Sequence, residues 1–112
     1  MIDWRKYRHF SEADFPPARG EPDDKLLEML DEAREEAGVP FVITSGVRPG
    51  DSGAHGRGLA ADIAAEHSRP RFKILRALIL VGFNRIGVYD RHLHADCDES
   101  LDSQVCWWGT SQ

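Results

Sequence analysis

One segment near the middle of the chain, residues 45–58, holds five glycines and a proline. Such a segment cannot continue a regular helix or strand, and it predicts a long loop with a specific shape. The chain must therefore fold from short elements on either side of that loop. The first 22 residues are also predicted to be irregular, because prolines 16, 17 and 22 interrupt them.

Two helices are predicted, one on each side of the loop. The first has an apolar face at helical spacing, and Gly38 is placed to end it. The second is strongly apolar and carries Pro70 in its first turn, where proline is tolerated. The predicted bounds are Asp23 or Asp24 to about Ala37 for the first helix, and Ser68 or Arg69 to Gly82 for the second.

Short apolar or alternating runs predict five strands, at residues 41–44, 59–64, 85–89, 93–97 and 105–108. Helices and strands are mixed and their connections are short. We therefore predict one α+β domain over residues 1–112, with two main helices and a small antiparallel sheet. Phe10 and Phe15 are expected to pack onto its core.

Composition excludes several functions. The net charge is −5, and no cluster of Lys and Arg is present that could neutralise nucleic acid or an anionic membrane. No run of 18 apolar residues occurs, and the polar N-terminus lacks an apolar signal core, so synthesis in the cytoplasm is expected. Cys97 and Cys106 are expected to be free thiols, with pairing across a hairpin as the alternative in an oxidising compartment.

His55 and Asp62 are the first candidates for a functional site. They are seven positions apart, which is about 10 Å of rise on a helix and opposite faces of a straight strand. The two side chains can meet only if the chain turns between them, and Gly56 and Gly58 permit such a turn.

The second group of candidates lies on the predicted strand 93–97 and just before it. His92, His94 and Asp96 share one face, while residues 93, 95 and 97 share the other face and suit a core. Two histidines and one carboxylate with an open fourth position are a catalytic zinc set, in which a bound water becomes the nucleophile. Any one of these residues alone is more typical of a polar surface.

Five motifs occur in a specific order along the chain. They are Phe10-x4-Phe15, Ser45-Gly46-x-Arg48, His55-x-x-Gly58-x-Ala60-x-Asp62, Gly82-Phe83-x-Arg85-Ile86-Gly87-x-Tyr89 followed by His94-x-Asp96, and a tryptophan at 107 or 108. With this order and spacing the chain resembles the zinc D-alanyl-D-alanine carboxypeptidase family, which also includes phage L-alanyl-D-glutamate endopeptidases and other peptidoglycan hydrolases.

The resemblance implies a Hedgehog/DD-peptidase-like fold and zinc ligation by His55, Asp62 and His94. It implies that Arg48 binds the substrate near the scissile carbonyl, where a permanent positive charge stabilises an oxyanion or holds a carboxylate. Trp107 is the candidate for a wall of the substrate cleft. The implied substrate is a peptidoglycan stem or cross-link peptide. By analogy, we expect a monomeric phage endolysin or virion-associated hydrolase that is released to the cell wall.

One position departs from the family pattern. Many members carry a Glu or Asp as general base three residues before the last zinc-binding histidine, and here that position is Arg91. His92 and Asp90 are the candidate replacements, while Asp96 suits the orientation of a ligand better. Arg91 also leaves open a zinc-binding module without catalysis. A dipeptidase for small D-amino acid peptides is a third possibility.

Overall fold

The computed structural model describes residues 1–15 and 20–111. Pro16 and Pro17, which were expected to interrupt the N-terminal segment, lie outside the described residues. Two short 3-10 helices, Trp4–Lys6 and Glu12–Asp14, precede the main elements. Those elements are, in chain order, α1 (Asp24–Ala37), β1 (Ile43–Ser45), β2 (Ala60–Ala64), α2 (Ser68–Leu80), β3 (Arg85–Tyr89), β4 (His92–Asp96) and β5 (Val105–Gly109).

Both helices begin and end where local chemistry places them. The Asp23 carboxylate accepts the Lys25 backbone N–H at the start of α1, and Gly38 ends the helix in a left-handed conformation, with φ of 69°. The second helix starts at Ser68, and Val81 follows its last residue. The prediction of two helices with these bounds is confirmed to within about two residues.

The sheet has five strands in the order β1-β2-β4-β3-β5. Its first three pairings are antiparallel, but β5 lies parallel to β3. The prediction of an antiparallel sheet was therefore wrong in this respect, and the sheet is mixed. The reason is that β2 and β3 already occupy both edges of β4. After the loop that follows β4, the returning chain pairs with the outer edge of β3 and runs in the same direction as that strand.

The core lies on one face of this sheet, under the two helices. Leu93 and Ala95 of β4 are fully buried there, in one apolar cluster with Leu30 of α1 and Leu78 of α2. Phe10 and Phe15 are buried in the same cluster, as predicted. The residues that alternate with Leu93 and Ala95 point away from the core. The face of the sheet opposite the helices is therefore the one that carries polar side chains.

Two further features bear on the predictions. Cys97 is buried and Cys106 is exposed, and both are free thiols. Within residues 1–15 and 20–111, none of the helices has the length and apolar character that crossing a membrane requires.

Candidate metal centre

Sheet register places two of the predicted ligands side by side. Asp62 of β2 is the cross-strand partner of His94 of β4. On the other side of β4, Gly87 of β3 is the cross-strand partner of His94, and Trp107 of β5 is the partner of Gly87. These residues form one row across the sheet, and their side chains emerge on the face opposite the core.

The glycine-rich loop positions His55, the third predicted ligand. At Gly56 an added Cβ would lie 1.8 Å from the Asp51 carbonyl oxygen, so only glycine fits this tight approach of the backbone. Gly58 has a left-handed φ of 73°, which glycine adopts without strain. The loop therefore turns as the sequence required, and it brings His55 over the end of Asp62. The His55 Nδ1–H donates to the Gly46 carbonyl oxygen at 2.7 Å, so Nε2 is the ring nitrogen that faces Asp62 and His94.

His55, Asp62 and His94 converge on one point. The His55 Nε2 lies 3.3 Å from Asp62 Oδ1, and the His94 Nδ1 lies 3.0 Å from the same oxygen. The two ring nitrogens are 3.2 Å apart. These three side chains form a group that could hold a metal ion. His55 and His94 are buried, with 5% and 9% of their surfaces exposed, so the group lies just below the protein surface.

Asp96 holds the outer side of His94. Its Oδ2 lies 2.7 Å from His94 Nε2, so that nitrogen donates to the carboxylate, and Nδ1 is the ring nitrogen that faces Asp62 and His55. The other carboxylate oxygen accepts Arg85 Nε–H at 2.7 Å. Asp96 is only 1% exposed, and Arg85 balances its buried charge.

The pKa shifts in this group favour ionised carboxylate beside imidazole. Burial opposes ionisation of Asp62, but hydrogen bonds with His55 and His94 outweigh it and hold the pKa of Asp62 well below its usual value. Burial also opposes protonation of His94, yet its hydrogen bonds with Asp62 and Asp96 raise its pKa.

A surface pocket of about 440 Å³ opens beside the metal group. Arg48 lies at its edge, 45% exposed by side chain, with a guanidinium nitrogen 3.7 Å from Asp62 Oδ2. A second guanidinium nitrogen is 3.9 Å from Asp51. The residues that line the pocket are Thr44, Arg48, Asp62, Tyr89, His92, His94 and Thr110.

His92 also lies in this pocket. Its Nε2 is 3.9 Å from Asp62 Oδ2, and its ring stacks on Tyr89 with centroids 4.3 Å apart and planes 11° from parallel. Burial lowers the pKa of His92, against the opposing effect of the Asp62 carboxylate. His92 is thus a titratable group next to the predicted metal, on the same side as Arg48.

Asp90, the alternative candidate for the base, lies elsewhere. It is exposed and is not among the residues that line the pocket. Its carboxylate accepts the backbone N–H of Ser111, and this bond together with the Ser111 hydroxyl lowers the pKa of Asp90. The structure therefore places His92 next to Asp62 of the metal group, whereas Asp90 lies outside the pocket.

Trp107 packs beside His94, although it is not among the residues that line the pocket, and Trp108 does not pack there. The Trp107 ring centroid is 5.3 Å from that of His94, and its Nε1–H donates to the Tyr89 hydroxyl at 3.0 Å. Gly87 lies beneath both rings, because an added Cβ would meet Trp107 Nε1 at 2.7 Å and Tyr89 Cε1 at 2.8 Å. Trp108 is 86% exposed, and strand alternation puts it on the other face of the sheet.

Sequence reasoning did not single out the pocket residues Tyr89, Thr44 and Thr110 as functional. The alternation of β3 was a usable signal for Tyr89, because it shares a face with Arg85 and Gly87. Thr110 follows the end of β5, whose parallel pairing was not foreseen, so its position had no sequence signal.

Comparison of the chain with protein-family models, with curated proteins and with solved structures gave no match. The interpretation of the site therefore depends on the geometry of the described residues and on the motifs in the sequence.

Proposed function

We propose that this protein is a zinc peptidase that hydrolyses a peptide bond in bacterial peptidoglycan. The observation that carries the proposal is the convergence of His55 Nε2, Asp62 Oδ1 and His94 Nδ1 within 3.0–3.3 Å of one another. Asp62 and His94 also line a pocket together with Arg48 and His92. The outer ring nitrogen of each histidine has its own acceptor. That arrangement orients both imidazoles for one ion.

The donor set and its spacing suit zinc. Zinc takes imidazole nitrogen and carboxylate oxygen at about 2.0–2.1 Å, so two donors on a tetrahedron are about 3.3 Å apart. The observed separations of 3.0–3.3 Å are close to that value. Calcium and magnesium prefer all-oxygen sites, whereas two imidazoles favour zinc and similar transition metals. Three protein ligands leave one position toward the pocket, as in catalytic rather than structural zinc sites.

When bound, zinc supplies a Lewis acid and an acidified water at neutral pH. The chain's own residues supply the rest. Arg48 lies at the edge of the pocket, where its guanidinium can stabilise negative charge that develops on a peptide carbonyl oxygen. His92 presents Nε2 to the same pocket, close enough to take up a proton and to return it to the leaving amine.

The substrate class comes from the family resemblance. The His55-x-x-Gly58-x-Ala60-x-Asp62 motif and the later His94-x-Asp96 motif are similar to those of zinc D-alanyl-D-alanine carboxypeptidases and phage endopeptidases. The pocket is shallow and open at the surface, and it is lined mostly by polar and charged groups. Such a surface suits a peptide attached to a polymer, and the Arg48 guanidinium suits its carbonyl or carboxylate groups.

The test is to digest purified peptidoglycan with the zinc-loaded protein and to identify the released fragments by mass spectrometry. His92→Ala is expected to keep its zinc and lose most of the turnover. The matched control, His67→Ala, removes an exposed histidine at the start of α2 and is expected to leave turnover unchanged. Zinc binding without cleavage by the unmodified protein, for polymer and for short D-Ala-containing peptides alike, would instead favour the non-catalytic module.

A further inference from the structure

Ser111 contacts three consecutive residues, Asp90, Arg91 and His92. Its backbone N–H donates to the Asp90 carboxylate, and its hydroxyl oxygen accepts the Arg91 backbone N–H at 3.1 Å. The Arg91 guanidinium donates to the Ser111 carbonyl oxygen at 3.2 Å. The hydroxyl also lies 2.6 Å from His92 Nδ1. Only 9% of Ser111 is exposed, so this hydroxyl has little access to competing water.

The last of these contacts fixes which edge of His92 faces the pocket. Because Nδ1 is engaged by Ser111, Nε2 is the only ring nitrogen left to face Asp62, which it does at 3.9 Å. The stacked Tyr89 ring covers one face of the imidazole, with the planes only 11° from parallel. A rotation of the ring would break the hydrogen bond to Ser111 and lose this stacking. The two contacts therefore define a single orientation.

We propose that Ser111 is a positioning residue, which holds His92 with Nε2 directed at the reacting groups in the pocket. Its effect on turnover rests on the zinc peptidase function proposed above, whereas its effect on the orientation of the ring does not. Ser111 itself touches neither the metal group nor the pocket, so it acts through His92.

Asp90 and Arg91 both hold Ser111 in place through hydrogen bonds. In the family pattern the residue at position 91 would be an acid, yet here Arg91 donates to Ser111 from both its backbone and its side chain. Asp90 holds Ser111 from the other side. The two residues thus secure the segment after β5 against the start of β4. In this chain the proton-transfer group is therefore at position 92 rather than at position 91. Ser111 does not transfer the proton itself but holds His92 in place.

A merely structural role for Ser111, as an anchor for the end of the chain, is the competing explanation. An anchor is expected to change the stability of the fold. It is expected to leave the orientation of the His92 ring and the kcat of the folded protein unaltered. A positioning residue changes kcat at unchanged KM and zinc content, because it acts on a proton transfer rather than on substrate binding. Loss of one such hydrogen bond corresponds to a roughly 3- to 10-fold fall in kcat.

The experiment compares the zinc-loaded full chain with Ser111→Ala, Ser111→Thr and the control Ser103→Ala, which changes an exposed serine in the loop before β5. We measure kcat and KM on a peptidoglycan peptide, zinc content, and the 15N signal of His92 Nδ1, assigned by its absence in His92→Ala. Ser111→Ala is expected to lower kcat by about that 3- to 10-fold factor and to shift the Nδ1 signal. Ser111→Thr keeps the hydroxyl and is expected to restore both.

The proposal is overturned if Ser111→Ala matches Ser103→Ala in kcat, or if kcat falls while the Nδ1 signal stays where it is in the unmodified protein. If the unmodified protein hydrolyses nothing, the proposed function fails, and the Nδ1 signal alone decides whether Ser111 orients His92.

Discussion

The hydrogen bond from His94 to Asp96 allows a precise prediction for Asp96→Asn. Both carboxylate oxygens of Asp96 accept hydrogen bonds, one from His94 Nε2 and the other from Arg85 Nε, each at 2.7 Å. Asparagine has one acceptor oxygen and one amide NH2, so it cannot serve both donors. If the NH2 faces His94, the His94 proton moves to Nδ1 and blocks the metal-facing atom. If it faces Arg85, the guanidinium loses its hydrogen-bond acceptor, and in either orientation Arg85 loses its ion pair with residue 96.

The magnitude follows from these two outcomes. Replacement of the carboxylate behind a metal-binding histidine lowers metal affinity by about 10- to 100-fold, which is roughly 1.4–2.8 kcal/mol of binding free energy. The loss of a charged partner for Arg85 adds about 1–3 kcal/mol of destabilisation, because its side chain is only 14% exposed. We expect weaker zinc binding together with a less stable chelator-treated protein.

The assay is zinc competition with a chelating dye, together with thermal unfolding in the presence of excess chelator. Asp102→Asn is the matched control, because it removes the same charge from an exposed residue whose contact with Arg85 is made by its backbone carbonyl. Zinc affinity in Asp96→Asn that stays within about twofold of the Asp102→Asn value would refute the argument, since the expected loss is at least tenfold.

Three further predictions concern the row of residues around the centre and the two thiols. Gly87→Ala places a Cβ 2.7 Å from Trp107 Nε1. We therefore expect about 1–3 kcal/mol of destabilisation in urea unfolding and an altered tryptophan fluorescence spectrum. An unchanged spectrum would contradict the close packing of Gly87 against Trp107. Burial raises the pKa of Cys97 to about 11, so iodoacetamide followed by mass spectrometry should modify the exposed Cys106 first, and equal rates would be the contrary result. With chelator present, the raised pKa of His94 adds stability that is full below its unfolded pKa of about 6.5 and is lost as pH rises through the folded pKa. Zinc binds the neutral imidazole, so the increase in melting temperature on zinc addition should grow from pH 6 to 8. An increase that does not change with pH would contradict the assignment of His94 as a ligand.

Much of the fold was readable from the sequence because its signals are local. The cap at Asp23 and the stop at Gly38 depend on neighbouring residues alone, so the bounds of α1 were predicted closely. The parallel pairing of β5 with β3 was not foreseen, because it depends on which edges of β4 are already occupied. Sequence periodicity carries no information on that choice.

The site divides in the same way. His55 and Asp62 were linked by the glycine pattern between them, and the alternation of β4 put His94 and Asp96 on one face. The contact of Ser111 with His92 joins residues 19 positions apart through the end of β5. It became visible only with the sheet topology, and the same holds for the separation of Asp90 from the pocket.

The most direct test of the central claim is to measure metal content together with dye release from purified peptidoglycan, with and without a chelator. The account predicts about one zinc per chain, as three protein ligands for one ion require, with dye release that stops on chelation and returns on zinc addition. His94→Ala is expected to lose both the zinc and the release. Dye release that persists in the chelated protein, or one tight zinc retained by His94→Ala, would contradict it.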